Sequence, residues 1–274
     1  MGKIRLRLTF VRDECNKQMI IRRDVGPYVL EGSANPAVVM GGHSHILAPL
    51  MGIHAGALVD IGMEAAVLHS DDRSLWPNIT ADYWIALRDE EHSDIAVVCW
   101  NGNQHNALFM LDVVPRFTLA GVLANQGRNT VPRQMLRQLW QHDASSLAEA
   151  IKILMTKKKV LVIGTPPPNH ARYIRNFLQA DPFFNSRAVE LGIDIASVEI
   201  TPDEVRLELW HIIQSELQRV SAATGVSFVP APPRAMDGDG FLLADLAAPD
   251  ATHTNDKYGA LVWRTVRENL KVMG

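Results

Sequence analysis

The sequence has 274 residues, of which 47% are apolar and 21% are charged, a balance typical of a folded globular chain and not of a disordered one. The formal net charge of −3 argues against a broad basic surface for nucleic acid, because binding to phosphates requires a local excess of lysine and arginine. The two cysteines, Cys15 and Cys99, are too few for a disulfide framework, and Cys99 lies in an apolar run that predicts a buried side chain.

The chain shows no pattern typical of export or membrane insertion. Residues 1–14 are basic but are not followed by a sustained apolar core, so we expect no secretory signal. The longest weakly polar stretch, 46–68, is interrupted by His54, Asp60 and Glu64, so we expect no membrane span and no membrane partner. We therefore expect a cytoplasmic protein.

The first part of the chain has its own character. Residues 3–11 alternate between apolar and polar side chains as a strand does, and the stretch as far as Pro36 is rich in charged and turn residues. We predict that residues 1–34 form an N-terminal extension packed on a single domain, 35–274.

Short apolar runs alternate with helical patterns through this domain. Buried strands are predicted at 37–40, 95–100, 160–164 and 226–229. Helices are predicted at 81–91, at 133–156 with a break near residue 142, at 201–223 and at 256–270. The basic run 157–159 is expected to be a solvated turn before the third strand. This alternation is typical of a parallel sheet covered by helices on both faces.

Ligands in such folds bind where the parallel strands end. The loops that follow the predicted strands are 41–45, 101–106, 165–170 and 231–253. Because the carboxyl ends of parallel strands meet at one edge of the sheet, we expect these four loops to lie together.

Ser44, in VVMGGHSHI, is the first candidate for chemistry. A serine just after a strand and a glycine turn lies at a helix start, where free backbone N–H groups can stabilise an oxyanion. The alternative is an ordinary helix N-cap, since serine is a preferred capping residue.

The second candidate is Asp250-Ala-Thr-His253. A carboxylate three residues before a histidine can accept a hydrogen bond from Nδ1, which leaves Nε2 available to take a proton from a hydroxyl. The same spacing occurs at Asp89 and His92, but that pair is predicted at a helix end ahead of a strand and therefore at the opposite edge of the sheet.

The third candidate is the amide-rich segment 101–106, which follows a buried strand directly. Neutral carboxamide N–H groups can donate hydrogen bonds to a developing oxyanion. The alternative is a turn stabilised by asparagine side chains.

Together these three segments resemble the SGNH (GDSL-like) hydrolase superfamily, from about Ala37 to the C-terminus. GGHSHI resembles the serine block of the family, NGNQHN its asparagine block, and DATHTNDKYG its C-terminal D-x-x-H block. The resemblance implies a three-layer α/β/α sandwich with a mainly parallel, flavodoxin-like sheet, the SGNH hydrolase fold.

The resemblance also implies roles for single residues. Ser44 is the implied nucleophile, His253 the general base and Asp250 its orienting partner. The backbone N–H of Ser44 and the side chain of Asn103 are the implied oxyanion donors. The chain departs from the family pattern at His43, at Asn101 and at Gln104.

The further oxyanion glycine of the family has two candidates, Gly56 and Gly62, and the sequence does not choose between them. His43, His45, Asn101, Gly102 and His105 are expected to line the substrate pocket. No metal is expected: His43, His45 and His54 could be considered as a ligand set, but no carboxylate or cysteine at ligand spacing joins them. No nucleotide cofactor is expected, because neither a Gly-x-Gly-x-x-Gly nor a Walker pattern occurs.

The sequence thus predicts a cofactor-independent serine esterase that acts through an acyl-enzyme on a small-molecule or saccharide ester. Two alternatives remain open: an O-acyltransferase with the same triad, and a non-catalytic module that binds a glycan or a protein partner. The oligomeric state is also left open.

Overall fold

A mixed sheet of eight strands forms the centre of the computed structural model, which describes residues 6–7, 19–72, 79–100, 109–122 and 127–273. The strands of this sheet are β1 (Leu6–Arg7), β2 (Ile21–Val25), β3 (Tyr28–Gly32), β4 (Val38–Gly42), β5 (Ala65–His69), β6 (Ile95–Cys99), β9 (Lys159–Ile163) and β10 (Ser227–Val229). Two further strands, β7 (Phe117–Leu119) and β8 (Asn129–Val131), pair with each other outside the main sheet. The strand order of the main sheet is β1-β2-β3-β5-β4-β6-β9-β10.

The five strands from β5 to β10 in this order are mutually parallel. Numbered by themselves they run 2-1-3-4-5, which is the flavodoxin-like order. The predicted mainly parallel, flavodoxin-like sheet is therefore confirmed.

Helices cover both faces of this sheet. Their bounds are α1 (Leu47–His54), α2 (Ala57–Ile61), α3 (Ala81–Arg88), α4 (Arg133–Met155), α5 (Ala171–Leu178), α6 (Pro182–Leu191), α7 (Asp203–Thr224) and α8 (Asp256–Met273). One apolar cluster packs α3, α4 and α7 on one face, and a second packs α1, α2 and α8 on the other, which confirms the three-layer α/β/α sandwich. None of the helices in the described ranges combines the length and the apolarity needed to cross a bilayer.

The N-terminal part of the chain extends the sheet with antiparallel strands. β2 pairs with β1 and β3, and β3 pairs with β5 at the edge of the parallel part. The strand predicted at 3–11 is present at residues 6–7, and the rest of that range lies outside the described residues. Strand β2 was not predicted, because all five of its residues are half-buried and its sequence, IRRDV, shows no apolar alternation.

Other predicted elements differ in detail. Helix α4 runs without the break expected near residue 142, because Trp140, Ala144 and Leu147 keep a continuous buried face across it. Helices α5 and α6 and strand β5 were not predicted. The stretch 46–68, which holds α1, α2 and β5, is so uniformly apolar that periodicity does not separate helix from strand.

The expectation of a fully solvated basic turn at 157–159 is wrong for Lys158. Its side chain is buried, and its ammonium group donates hydrogen bonds to the carbonyl oxygens of Glu90, at 2.8 Å, and Ser93. Burial lowers the pKa of Lys158, while the carboxylates of Glu90 and Asp94 raise it. This lysine ties the turn before β9 to the loop before β6.

Helices α1 and α8 are in direct backbone contact. A β-carbon on Gly259 of α8 would lie 1.8 Å from the carbonyl oxygen of Ala48 in α1, and one on Gly52 would lie 3.0 Å from the backbone nitrogen of Ala260. The indole N–H of Trp263 donates a buried hydrogen bond of 2.9 Å to the carbonyl oxygen of Pro49. The contact therefore requires glycine and cannot be kept with a larger side chain.

Gly259→Ala tests this contact. Alanine favours a helix over glycine by about 1 kcal/mol, but the overlap with Ala48 costs about 3 kcal/mol or more, so we expect the free energy of unfolding to fall. Chemical denaturation measures the change. Gly238→Ala is the control, because nothing lies within 4 Å of the added methyl group. Equal stability of Gly259→Ala and the control would show that the two helices are not packed this closely.

Candidate active site

Ser44 lies directly beyond the end of β4, at the carboxyl edge of the sheet. Gly42, the last residue of β4, has φ = +155°, and a β-carbon there would lie 1.9 Å from the carbonyl oxygen of Cys99 on β6. The backbone N–H of His43 then donates to the same carbonyl oxygen at 3.2 Å, and a short 3₁₀ helix begins at Ser44. Glycine is thus required for the turn that presents Ser44.

A buried tyrosine forms hydrogen bonds that fix this turn. The hydroxyl of Tyr83 accepts a hydrogen bond of 2.8 Å from the backbone N–H of Gly42 and donates one of 2.6 Å to the carbonyl oxygen of Leu68. Burial raises the pKa of Tyr83 far above its ordinary value, so the hydroxyl stays neutral and keeps its proton for the second bond.

The hydroxyl of Ser44 has no structural role within the described residues. The N-cap of the 3₁₀ helix is His43, no side chain caps it, and the Ser44 hydroxyl forms no hydrogen bond with any described residue. The helix-cap alternative raised by the sequence therefore does not account for this serine. Its side chain is half-buried.

Asp250 and His253 form a hydrogen-bonded pair in the loop between β10 and α8. Oδ2 of Asp250 lies 3.0 Å from Nδ1 of His253. Oδ1 of Asp250 accepts the backbone N–H groups of Thr252, at 2.8 Å, and His253, at 2.7 Å. The Asp250 carboxylate therefore fixes both the backbone of the turn and the imidazole ring. Nε2 of His253 lies on the side of the ring opposite Nδ1, which bonds to Asp250.

The surroundings of Asp250 favour its charged form. Burial alone would raise the pKa of this carboxyl, but the hydrogen bond and charge of His253 and the two backbone N–H groups lower it to about 2. Asp250 is therefore a carboxylate at neutral pH, as an orienting partner for histidine must be.

The loop that carries this pair is anchored by residues on the C-terminal side of β9. The carboxamide of the buried Asn169 donates to the carbonyl oxygen of Ala251 at 3.4 Å, and the hydroxyl of Tyr173 on α5 donates to the carbonyl oxygen of Ala248 at 2.8 Å. The sequence indicated only that the loop 165–170 lies at this edge of the sheet. The sequence did not indicate the role of Tyr173, because its hydrogen-bond partner, Ala248, lies in a distant segment of the chain.

The structure brings the two predicted halves of the site close together. The imidazole rings of His45 and His253 have centroids 5.6 Å apart, and His45 is the residue after Ser44. The structure contains no hydrogen bond between the two described side chains of Ser44 and His253. The second D-x-x-H pair, Asp89 and His92, lies between α3 and β6 at the opposite edge, as predicted.

The histidines on either side of Ser44 differ in their contacts. His43 packs edge to face against Trp100, with ring centroids 4.9 Å apart. Burial lowers the pKa of His43 to about 4, so this imidazole is neutral at neutral pH. His45 is buried against His253. Both residues flank Ser44, and that they line a substrate pocket stays a prediction.

The oxyanion donors are only partly described. The backbone N–H of Ser44 donates to no acceptor within the described ranges. Asn101, Gly102, Asn103 and His105 lie outside the described residues.

The two candidates for the further oxyanion glycine lie away from Ser44. Gly56 and Gly62 flank α2, which precedes β5. Because β5 is parallel to β4, its start lies at the opposite edge of the sheet from Ser44. The residues that follow β5 at the edge of the site begin at Ser70, and no glycine occurs between 70 and 80.

One group of side chains among the described residues has the geometry to hold a metal ion. Ligand atoms of His170, Asp237 and Asp239 lie within 4.8 Å of one another. Both ring nitrogens of His170 are already in hydrogen bonds, with Asp203 at 3.1 Å and Asp237 at 2.8 Å. Both nitrogens of His170 are therefore already engaged by carboxylates, and the absence of a metal centre stays a prediction.

No protein-family model and no curated protein matches the sequence. Among solved structures, a GDSL-like lipase from Bacteroides thetaiotaomicron is similar over 86% of this chain and 88% of its own, with 9% identity and a TM-score of 0.46.

Two further solved structures are ester-acting or acyl-transferring proteins. A carbohydrate acetylesterase from Sinorhizobium meliloti is similar over 86% of this chain and 99% of its own, with 12% identity and a TM-score of 0.45. The periplasmic domain of a lipopolysaccharide acetyltransferase from Salmonella Paratyphi A is similar over 86% and 84%, with 11% identity and a TM-score of 0.46. The chain is thus similar over most of its length to each of these three solved structures.

Proposed function

We propose that this chain is a serine-dependent ester hydrolase of the SGNH type, with Ser44, His253 and Asp250 as its catalytic triad. The observation that carries the proposal is the oriented Asp250–His253 pair, whose imidazole packs against the neighbour of Ser44. The Ser44 hydroxyl, which forms no hydrogen bond with a described residue, supports the proposal further.

The reaction would proceed through an acyl-enzyme. Nδ1 of His253 donates to Asp250, so Nε2 carries the lone pair that accepts the proton of the Ser44 hydroxyl as Oγ attacks the ester carbonyl. The tetrahedral intermediate collapses, the C–O bond to the alcohol breaks, and His253 returns the proton to the leaving alcohol. Water then attacks the acyl carbonyl while His253 takes its proton, and the second tetrahedral intermediate collapses. The C–Oγ bond breaks, His253 returns the proton to Oγ of Ser44, and the free acid leaves.

The oxyanion of the tetrahedral intermediate needs hydrogen-bond donors. The backbone N–H of Ser44 is available at the start of the 3₁₀ helix. We propose that the carboxamide of Asn103, which follows the neighbouring strand β6 in the sequence, supplies a second donor. No metal or cofactor has a role in this scheme.

Solvent access favours hydrolysis over transfer to another alcohol. The side chain of His253 is 32% exposed and that of Asp250 is 36% exposed. Water therefore reaches the base that would activate it.

An acetylated saccharide is the first class of ester that we propose as substrate.

Ser44→Ala tests the nucleophile. Removing the hydroxyl removes the covalent step, so we expect kcat for p-nitrophenyl acetate to fall by about a thousandfold or more, with an unchanged circular dichroism spectrum. Ser186→Ala, an exposed serine of α6, is the control and should keep full activity. Turnover by Ser44→Ala at the parental rate would disprove the assignment.

Asp250→Asn tests the orienting partner. The amide no longer holds the imidazole in the required tautomer, so we expect kcat to fall by about 10³- to 10⁴-fold. Asp245→Asn, an exposed aspartate of the same loop, should leave kcat unchanged.

The same variant tests the charge of Asp250. Its folded-state pKa of about 2 lies below the ordinary value of 3.8, so the ionised carboxylate stabilises the fold above pH 4 and loses that effect as the pH falls towards 2. Asp250 is partly exposed, so solvent screening weakens this effect. We expect Asp250→Asn to lower the free energy of unfolding at pH 7 by about 1 kcal/mol. Denaturation curves should show a difference from the parent that shrinks below pH 4. A difference that stays constant down to pH 2 would contradict the lowered pKa.

A further inference from the structure

A cleft of about 380 Å³ is lined in part by residues of α5. Three arginines line it, Arg128, Arg172 and Arg175, together with Glu199 and Ile200. The charges around the cleft decide what it can bind.

Arg128 is held in place by a buried carboxylate. Its Nη1 and Nη2 atoms donate to the two oxygens of Asp112 at 2.7 and 2.6 Å, a two-point pair in which both side chains are nearly buried. Hydrogen bonding to Asp112 raises the pKa of Arg128. The guanidinium is therefore rigid at the cleft, but its charge is balanced by Asp112.

The negative charge of Glu199 is also balanced by a neighbouring cation. Its carboxylate lies 3.0 Å from Nη1 of Arg116, which reaches it from the segment before β7. The negative charge on the cleft wall therefore has a cation of its own and does not neutralise the remaining arginines.

Arg172 and Arg175 carry the unbalanced charge. They are three residues apart on α5, so they project from the same side of the helix. Within the described residues neither forms an ion pair, and Nη1 of Arg175 donates only to the carbonyl oxygen of Val198. Two guanidinium groups that face one cleft without carboxylate partners repel each other unless an anion lies between them.

The cleft is mechanically tied to the candidate active site. Ile200 on its wall belongs to an apolar cluster that also contains Ile174 of α5 and Ala251, which lies between Asp250 and His253. Tyr173, the neighbour of Arg172, donates a hydrogen bond from its hydroxyl to the carbonyl oxygen of Ala248 in the same loop. A ligand held by Arg172 and Arg175 is thus held against the helix that supports the candidate base.

We propose that this cleft binds a phosphate group, and that the group is part of the ester substrate. The second clause rests on the proposed function. Guanidinium groups bind phosphate through paired hydrogen bonds, and a phosphate monoester brings up to two negative charges on one compact group, which matches the two unbalanced cations of Arg172 and Arg175. The substrate class is therefore an acylated compound that carries a phosphate monoester.

Titration with inorganic phosphate at low ionic strength, followed by calorimetry, tests the site without any reaction. We expect saturable binding at one site, weakened by about tenfold or more in the double variant Arg172→Gln/Arg175→Gln. The control Arg137→Gln/Arg264→Gln removes two other exposed arginines and should change the affinity by less than about twofold. Succinate should bind at least about tenfold more weakly than phosphate.

Three results would overturn the proposal: no saturable phosphate binding, equal loss of affinity in the two double variants, or succinate binding as tight as phosphate binding. A kinetic comparison tests the substrate clause. The Arg172→Gln/Arg175→Gln variant should hydrolyse p-nitrophenyl acetate normally and lose about tenfold or more in kcat/KM, mainly through KM, on an acetylated sugar phosphate. An equal effect on both esters would contradict that clause.

The two proposals fail in different ways. If the parent protein hydrolyses neither ester, the esterase proposal is wrong, and the phosphate titration still decides whether the cleft is a binding site. If the parent hydrolyses p-nitrophenyl acetate but binds no phosphate, the cleft proposal alone is wrong.

Discussion

The backbone contact between α1 and α8 is the constraint on which the candidate site depends. Helix α1 begins three residues after Ser44, and α8 begins three residues after His253. Because the helices touch at Gly52 and Gly259 and are joined by the bond from Trp263 to Pro49, they cannot slide along each other without losing that packing. A serine from the first quarter of the chain and a histidine from its last tenth are thereby fixed at one edge of the sheet.

Helix α5 gives the same edge a second support. One side of it donates a hydrogen bond to the Asp250–His253 loop through Tyr173, and the other presents two arginines to a cleft. The proposed binding of a phosphate and the proposed attack on an ester therefore share one rigid element. Such sharing positions a substrate at the reacting groups without a large movement of the protein.

The sequence predicted the parts of this arrangement that have local signals. The apolar runs of β4, β6, β9 and β10 identified four of the five parallel strands, and the carboxyl ends of these strands predicted that Ser44 and His253 lie at one edge. The sequence did not predict strand β2, because IRRDV shows no apolar alternation. It did not predict the burial of Lys158, because that burial depends on carbonyl groups from another loop. The arginine cleft has no sequence motif, since its side chains come from separate segments that only the folded chain brings together.

The most direct test of the account is covalent labelling by a fluorophosphonate, with the modified peptide identified by mass spectrometry. An activated serine reacts quickly, and its activation requires the histidine. The account predicts a single adduct on Ser44 in the parent protein and loss of that adduct in His253→Ala. An adduct on a different serine, or labelling of Ser44 that persists unchanged without His253, would contradict it.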